Sequence, residues 1–178
     1  IWRYHGHRGQ AYGDRLDARI GDAIATCEKI ARPRFTYHVF DRVPEKDALR
    51  VGETYLRLPV ADIARHLAGA ARCALLAATL GVGVEAPIYA LERIDITSER
   101  ILDAACADAI GKVWDEAADE IARAAGEKGL FSGERFSPGY GDLPLDLQPS
   151  VLRVLDAGRR IRLTCSPSLI LLPRKSVT

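Results

Sequence analysis

Residues 134–148 read Glu-Arg-Phe-Ser-Pro-Gly-Tyr-Gly-Asp-Leu-Pro-Leu-Asp-Leu-Gln, and no other stretch says as much about the fold. Arg135 carries a planar fork of N–H donors that suits a carboxylate. Pro138 fixes its own φ, while Gly139 and Gly141 allow backbone conformations and close approaches that a Cβ atom would forbid. Tyr140 lies between the two glycines. A cation, an aromatic ring and a tightly turned backbone so close together indicate the edge of a ligand site.

Length and charge narrow the class of protein around this stretch. The chain has 178 residues, of which 48% are hydrophobic, so it can bury one sizeable core and is expected to form one domain. Its 25 basic and 24 acidic residues give a formal net charge of +1. Neither nucleic acid nor an anionic membrane is therefore expected as a partner. No uninterrupted apolar run reaches the roughly 18 residues that a membrane span needs.

The cysteines and histidines predict no metal site. The four cysteines are dispersed without a CxxC pair, each in an apolar or periodic context: Cys27, Cys73, Cys106 and Cys165. This pattern favours buried thiols in a reducing, cytoplasmic location, with a disulfide framework or a zinc site as the less favoured alternatives. His5 and His7 are spaced like two ligands on an extended segment, but no third ligand follows at a suitable spacing.

Hydrophobic periodicity predicts the order of the elements. The first half is expected to contain a helix over residues 12–31, strands over 34–40 and 49–58, a short helix over 61–70 and a buried strand over 72–80. A long helix is predicted over residues 97–125, capped by Thr97 or Ser98 and about 42 Å long at the α-helical rise. Its outward face is expected to carry four acids: Asp115, Glu116, Asp119 and Glu120.

The C-terminal part completes the predicted fold. After the glycine-rich turn, a helix is expected over residues 147–155 and strands over 161–165 and 169–172. Because helices and strands do not alternate strictly, the order indicates an α+β domain with a largely antiparallel sheet. We expect a single domain over residues 1–178, with an N-terminal part to residue 95 and a motif-bearing part from residue 130.

A second glycine-containing run competes for a functional interpretation. Residues 75–85 read Leu-Leu-Ala-Ala-Thr-Leu-Gly-Val-Gly-Val-Glu, which is similar to the glycine loop after the first strand of Rossmann-type methyltransferases and dehydrogenases. The run has Gly81 and Gly83 but lacks the third glycine. The favoured interpretation is a strand end whose glycines make a turn, and the alternative is a turn that lines the same cleft as Arg135.

Two motifs together resemble one known family. The run from Arg135 to Tyr140 resembles the RxxxGY signature of the activation domain of cobalamin-dependent methionine synthase. Residues 162–178, Arg-Leu-Thr-Cys-Ser-Pro-Ser-Leu-Ile-Leu-Leu-Pro-Arg-Lys-Ser-Val-Thr, are close to that family's "LT.S…P..SV" pattern. Free-standing relatives of this domain carry a segment similar to Ala-Thr-Leu-Gly at residues 78–81. The resemblance implies an α+β fold with one long helix crossing a twisted antiparallel sheet.

The resemblance also implies a site. In the family, the arginine of the motif holds the carboxylate of S-adenosylmethionine, a role that falls on Arg135. The tyrosine of the motif lies close to the upper face of the cobalamin, which makes Tyr140 the implied catalytic position as well as a cofactor contact. Glu120 is matched to another family acid. The other implied cofactor-binding residues supply backbone and shape: Phe136, Ser137, Gly139 and Gly141.

The implied function is the reactivation of an oxidised cofactor. In the family, cob(II)alamin is reduced by an external donor and trapped by methyl transfer from S-adenosylmethionine. Since the sequence contains no DxHxxG cobalamin motif, the resemblance implies a free-standing module acting on a methionine synthase or another corrinoid protein. A flavodoxin-like or other electron donor is a further candidate partner.

Two other classes of function stay open. Gly129 stands where the family has an acid, six positions before the motif arginine. This difference leaves room for a non-catalytic adaptor of the same fold that docks on a corrinoid protein, or binds another small ligand, without using S-adenosylmethionine. An ordinary hydrolase or oxidoreductase is the third possibility.

Overall fold

A five-stranded sheet is the frame on which the helices pack. The computed structural model describes residues 13–45, 48–59 and 62–178, so the histidines at positions 5 and 7 lie outside the described residues. The strands in chain order are β1 (Arg34–Pro44), β2 (Ala48–Val51), β3 (Arg57–Pro59), β4 (Arg72–Thr79), β5 (Thr164–Cys165), β6 (Leu171–Leu172) and β7 (Ser176–Val177). The main sheet has the order β3-β2-β1-β4-β7, and each neighbouring pair is antiparallel. Strands β5 and β6 form a separate antiparallel pair.

The central pair of strands follows directly from the sequence. β1 is rich in aromatic and β-branched residues, and it pairs with β4 from Arg34 opposite Thr79 to Asp41 opposite Arg72. The segment predicted as a weaker strand over residues 49–58, interrupted by Gly52, is two strands, β2 and β3. Gly52 separates them because it adopts a φ of +54°, which turns the chain back, and the Val51 N–H donates to the Leu56 carbonyl across the turn.

One long helix crosses the domain. The helices in chain order are α1 (Asp14–Ile30), α2 (Asp62–His66), α3 (Glu85–Glu92), α4 (Ile96–Gly126), α5 (Gln148–Val154) and α6 (Ala157–Ile161). α4 is the long helix that the periodicity predicts, but it begins at Ile96 and is capped by Asp95. The Asp95 carboxylate accepts hydrogen bonds from the backbone N–H groups of Thr97 and Ser98, so neither of these is the cap.

Several short elements differ from the prediction: α6 and β7, like α3, were not predicted, and α2 is shorter than the helix expected over residues 61–70. Pro87 in the first turn of α3 explains why a helix is compatible with a sequence that reads as a break, since a proline there removes no intrahelical hydrogen bond. The strand predicted over residues 161–165 is too long. Ile161 ends α6, and Arg162 then adopts a left-handed φ of +57° before the strand begins at Thr164.

Helices cover both faces of the sheet. Cys73 and Ala77 of β4 belong to one buried apolar cluster, which includes residues of α2, α5 and α6. Ala78 faces the other way, into a second cluster formed with α1, α3 and α4. This alternation follows from the period of two along a strand. Because both clusters share the one sheet, the chain is a single α+β domain.

The run at residues 75–85 is a strand end followed by a turn. β4 ends at Thr79, Gly81 adopts a φ of +81°, and a 3-10 turn spans Val82–Val84. A Cβ atom on Gly83 would lie 2.7 Å from the Ile30 carbonyl oxygen, so the second glycine permits close packing against the end of α1. A Rossmann loop requires parallel neighbours, whereas β4 lies between antiparallel strands.

The cysteines lie largely in the core. All four are free thiols, with Cys27, Cys73 and Cys106 buried and Cys165 half-buried. The Cys106 thiol donates to the sulfur of Cys27 at 3.4 Å, which lowers the pKa of Cys27 and raises that of Cys106.

Among the described residues, no helix is both long and apolar enough to cross a membrane.

Candidate ligand groove beside Arg135

A groove runs between α4 and the segment that leads into the glycine-rich turn. One wall is a single face of α4, since its residues are spaced three and four apart. The other wall is chain without regular secondary structure. The groove has a volume of about 690 Å³. Its lining residues are Asp115, Ala118, Asp119, Ala122, Ser132, Gly133, Glu134 and Arg135.

Arg135 is held in this groove from two sides. Its Nη1 donates to Oδ1 of Asp115 at 2.6 Å, and its guanidinium carbon lies 4.7 Å from the centroid of the Trp114 ring. Stacking on an aromatic face and pairing with a carboxylate are both favourable for a guanidinium. The side chain keeps 46% of its surface exposed, so a ligand in the groove can reach it.

The charges of the groove suit a ligand that carries both signs. Three exposed acids, Asp115, Asp119 and Glu134, line the groove together with the cationic Arg135. A ligand carboxylate would be attracted to Arg135, while a ligand cation would be attracted to the acids. The sequence predicts Asp115 on the outward face of the long helix, but it carries no local signal that pairs Asp115 or Trp114 with Arg135.

The residues after Arg135 anchor the segment. Phe136 packs against the apolar cluster beneath the sheet, with its ring centroid 5.1 Å from that of His66. Ser137 is buried, and its carbonyl accepts the Tyr140 N–H at 3.0 Å. Gly139 adopts a φ of +91°, and its N–H donates to the Leu143 carbonyl at 2.8 Å. These contacts fix the turn and therefore the backbone on which Arg135 sits.

Of the predicted site residues, Arg135 lines the groove, and the other six lie outside its lining: Phe136, Ser137, Gly139, Tyr140, Gly141 and Glu120. The Tyr140 side chain is 65% exposed on the tight turn. Glu120 lies on a different face of α4 from Asp115, and its carboxylate interacts electrostatically with the Tyr37 hydroxyl of β1. Burial, together with this neighbouring carboxylate, raises the pKa of Tyr37. The structure thus brings Arg135 to the groove and leaves Tyr140 and Glu120 outside its lining.

The described ranges contain no group of three or more His, Cys, Asp or Glu side chains that could hold a metal ion. The two described histidines have aromatic neighbours instead. The His38 ring lies 4.6 Å from Phe40, and His66 lies against Phe136.

Comparison with known proteins supports the fold. No protein-family model and no curated protein matches the sequence. Among solved structures, the chain is similar to the MetH reactivation domain in a crystal structure bound to AdoHcy, with a TM-score of 0.73. The match covers 99% of this chain and 70% of that chain. The chain has the reactivation-domain fold.

This fold gives the groove a definite setting. In the reactivation-domain fold of this chain, the long helix α4 supplies one wall of the groove, and the residues just before the glycine-rich turn supply the other. The sequence identity to the MetH domain is 15%, so the two proteins share a backbone arrangement while most side chains differ. The shared fold therefore does not assign roles to individual residues of this chain.

Proposed function

We propose that this chain is a reactivation module for a cobalamin-dependent methionine synthase or a related corrinoid methyltransferase. It binds S-adenosylmethionine in the groove beside Arg135 and positions it against a cobalamin that a partner protein holds. The observation that carries the proposal is the placement of Arg135 in a groove of mixed charge, on a fold shared with a domain that binds AdoHcy.

The groove fits the methyl donor in size and chemistry. Its volume of about 690 Å³ lies within the usual range for small-molecule sites. Arg135 would hold the carboxylate of the donor through charge-assisted hydrogen bonds. Asp119 and Glu134 would attract the sulfonium, and the extended backbone at residues 132–133 offers groups to the purine.

Tyr140 faces the partner in this proposal. Its exposed ring on a rigid turn is suited to contact a flat ligand presented by another protein. The corrinoid, when bound, supplies the metal centre that accepts an electron from a donor protein and the methyl group of S-adenosylmethionine. The chain itself contributes proximity and the exclusion of water.

Glu120 stays a proposed cofactor contact, which would require its carboxylate to move away from Tyr37. The cytoplasmic location and the flavodoxin-like donor stay predictions.

Calorimetric titration with S-adenosylmethionine tests the proposal. Wild type is expected to bind, and Arg135→Ala is expected to lose binding because it removes the group that pairs with the carboxylate. Arg159→Ala is the matched control, since Arg159 is exposed on α6, away from the groove. Absence of binding to the wild type at millimolar ligand, or equal binding by Arg135→Ala, would contradict the proposed site.

One observation favours the adaptor as a second candidate. The guanidinium of Arg135 already has an internal carboxylate partner, so the site is partly satisfied without a ligand. An adaptor would bind an isolated cobalamin domain of methionine synthase with equal affinity in the presence and absence of S-adenosylmethionine. A reactivation module is expected to bind the methyl donor measurably, alone or with that domain.

A further inference from the structure

The ion pair between Arg135 and Asp115 lies inside the groove proposed for the ligand. Both residues line the groove, and Nη1 of Arg135 is 2.6 Å from Oδ1 of Asp115. The side chains are 46% and 62% exposed, respectively, so both are open to solvent and to a ligand. An acid of the chain itself thus occupies the position that a ligand carboxylate would seek.

The two carboxylates would compete because a guanidinium binds a carboxylate best with two parallel hydrogen bonds. A ligand that takes up this bidentate geometry must displace Asp115 or share the fork with it, and two anions at one cation repel each other. The contact between the guanidinium carbon of Arg135 and the Trp114 ring, 4.7 Å from the ring centroid, does not involve Asp115 and is therefore available to a guanidinium whose carboxylate partner has been exchanged. Trp114 can therefore still contact the guanidinium of Arg135 when Asp115 is no longer paired with it.

We propose that Asp115 is an internal competitor for the ligand's carboxylate at Arg135 and so sets the affinity of the groove for carboxylate-bearing ligands. This inference rests on the proposed function, and it names a specificity-determining residue for the same site. Asp115 would discriminate against anions that contact Arg135 alone, because only a ligand with further contacts in the groove can replace Asp115 at the guanidinium.

The size of the effect follows from the exposure of the pair. Ion pairs between solvent-exposed side chains are weak, so removing the competitor is expected to tighten ligand binding by about two- to fivefold. Asp115→Asn keeps the shape of the side chain and removes its charge. Glu116→Gln is the matched control, since it removes the same charge one residue further along α4 from an exposed position that does not line the groove.

The experiment compares two ligands by calorimetry in wild type, Asp115→Asn and Glu116→Gln. S-adenosylmethionine carries the carboxylate, and decarboxylated S-adenosylmethionine keeps the sulfonium and purine without it. We expect Asp115→Asn to bind S-adenosylmethionine about two- to fivefold more tightly and the decarboxylated compound no more tightly than wild type does. Glu116→Gln is expected to match wild type for both. Thermal unfolding of each variant checks that the fold is retained.

The alternatives give distinct results. If Asp115 holds the sulfonium, Asp115→Asn will bind both ligands more weakly, and the inference is wrong while the proposed function stands. Equal tightening for both ligands would also overturn it, since the effect would not depend on the carboxylate. Binding of S-adenosylmethionine by Asp115→Asn alone supports the competition. Binding by neither wild type nor Asp115→Asn at millimolar ligand overturns the proposed function and the inference with it.

Discussion

The carboxylate of Asp62 lies against the backbone of Gly141. A Cβ atom built on Gly141 would be 2.7 Å from Oδ2 of Asp62, and Gly141 adopts a φ of +53°. The neighbouring Asp142 carboxylate accepts the Asp62 N–H at 3.1 Å, at the start of α2. The glycine-rich turn and the first residue of α2 are therefore bound to each other, which fixes the turn that carries Tyr140.

Replacing Gly141 by alanine is expected to destabilise the domain. The left-handed backbone costs a residue with a Cβ atom about 1–2 kcal/mol. The end of the Asp62 side chain can move aside, but the Phe136 ring, 3.3 Å from the Cβ position, must also shift. Gly133→Ala is the control, because no atom lies within 4 Å of its Cβ position. Urea unfolding measures both, and a Gly141→Ala variant as stable as Gly133→Ala would contradict the expectation.

Much of the fold could be predicted because its signals are local. β1 and β4 show the residue types and continuous apolar character of strands, and α4 shows helical periodicity over its whole length. The errors occur where tertiary contacts decide whether a segment forms a helix or a strand. α3 is stabilised by packing on α4, with Ile88 buried between them, although the first turn of α3 contains Pro87. The fold class is confirmed by the structure and by its similarity to the MetH domain.

Only part of the candidate site could be predicted from the sequence. The sequence predicts Arg135 as a ligand contact because its side chain presents a fork of donors, and it predicts the turn that follows because glycines adopt a positive φ readily. Asp115 is not predicted as a partner of Arg135, because it is twenty residues away along the chain and meets Arg135 only after α4 packs on the sheet. Its pairing depends on which face of a long helix turns toward one loop. No local pattern contains that information.

Acid is expected to weaken the link between α1 and α4 through Asp95. Hydrogen bonds from Ser98, together with the Arg19 guanidinium of α1, hold the pKa of Asp95 below its ordinary value of 3.8. Because the folded pKa is the lower one, the stabilisation is present above pH 3.8 and is lost as the pH falls through the folded pKa. Asp95→Ala should be less stable than wild type at neutral pH. Denaturant unfolding across the acid range should show this difference shrinking below that value, and a constant difference would contradict it.

The thiols are expected to differ sharply in reactivity. Cys165 is half-buried, whereas Cys27, Cys73 and Cys106 are buried. Burial also raises the pKa of Cys73, which lowers the fraction of reactive thiolate. A disulfide reagent added to the native protein should therefore label Cys165 first and the others only on unfolding. Cys165→Ser should lose the fast phase, and a fast phase that persists in this variant would show that a buried thiol is accessible.

Tyr37 is expected to report on Glu120. Burial, and then the interaction with the Glu120 carboxylate, raise the pKa of Tyr37 above its ordinary value of 10.0. Glu120→Gln removes the charge that opposes the phenolate, so it should bring the pKa of Tyr37 closer to 10.0. The measurement is the tyrosinate absorbance on alkaline titration, taken as the difference between a protein with Tyr37 and the same protein carrying Tyr37→Phe.

Because the folded pKa of Tyr37 is the higher one, the stabilisation from Tyr37 is intact below pH 10.0 and is lost as the pH rises through the folded pKa. Glu120→Gln should therefore lose less stability in alkali than Glu116→Gln, which leaves the Tyr37 contact in place. Equal titration of Tyr37 in the two variants would mean that Glu120 is not its partner in solution.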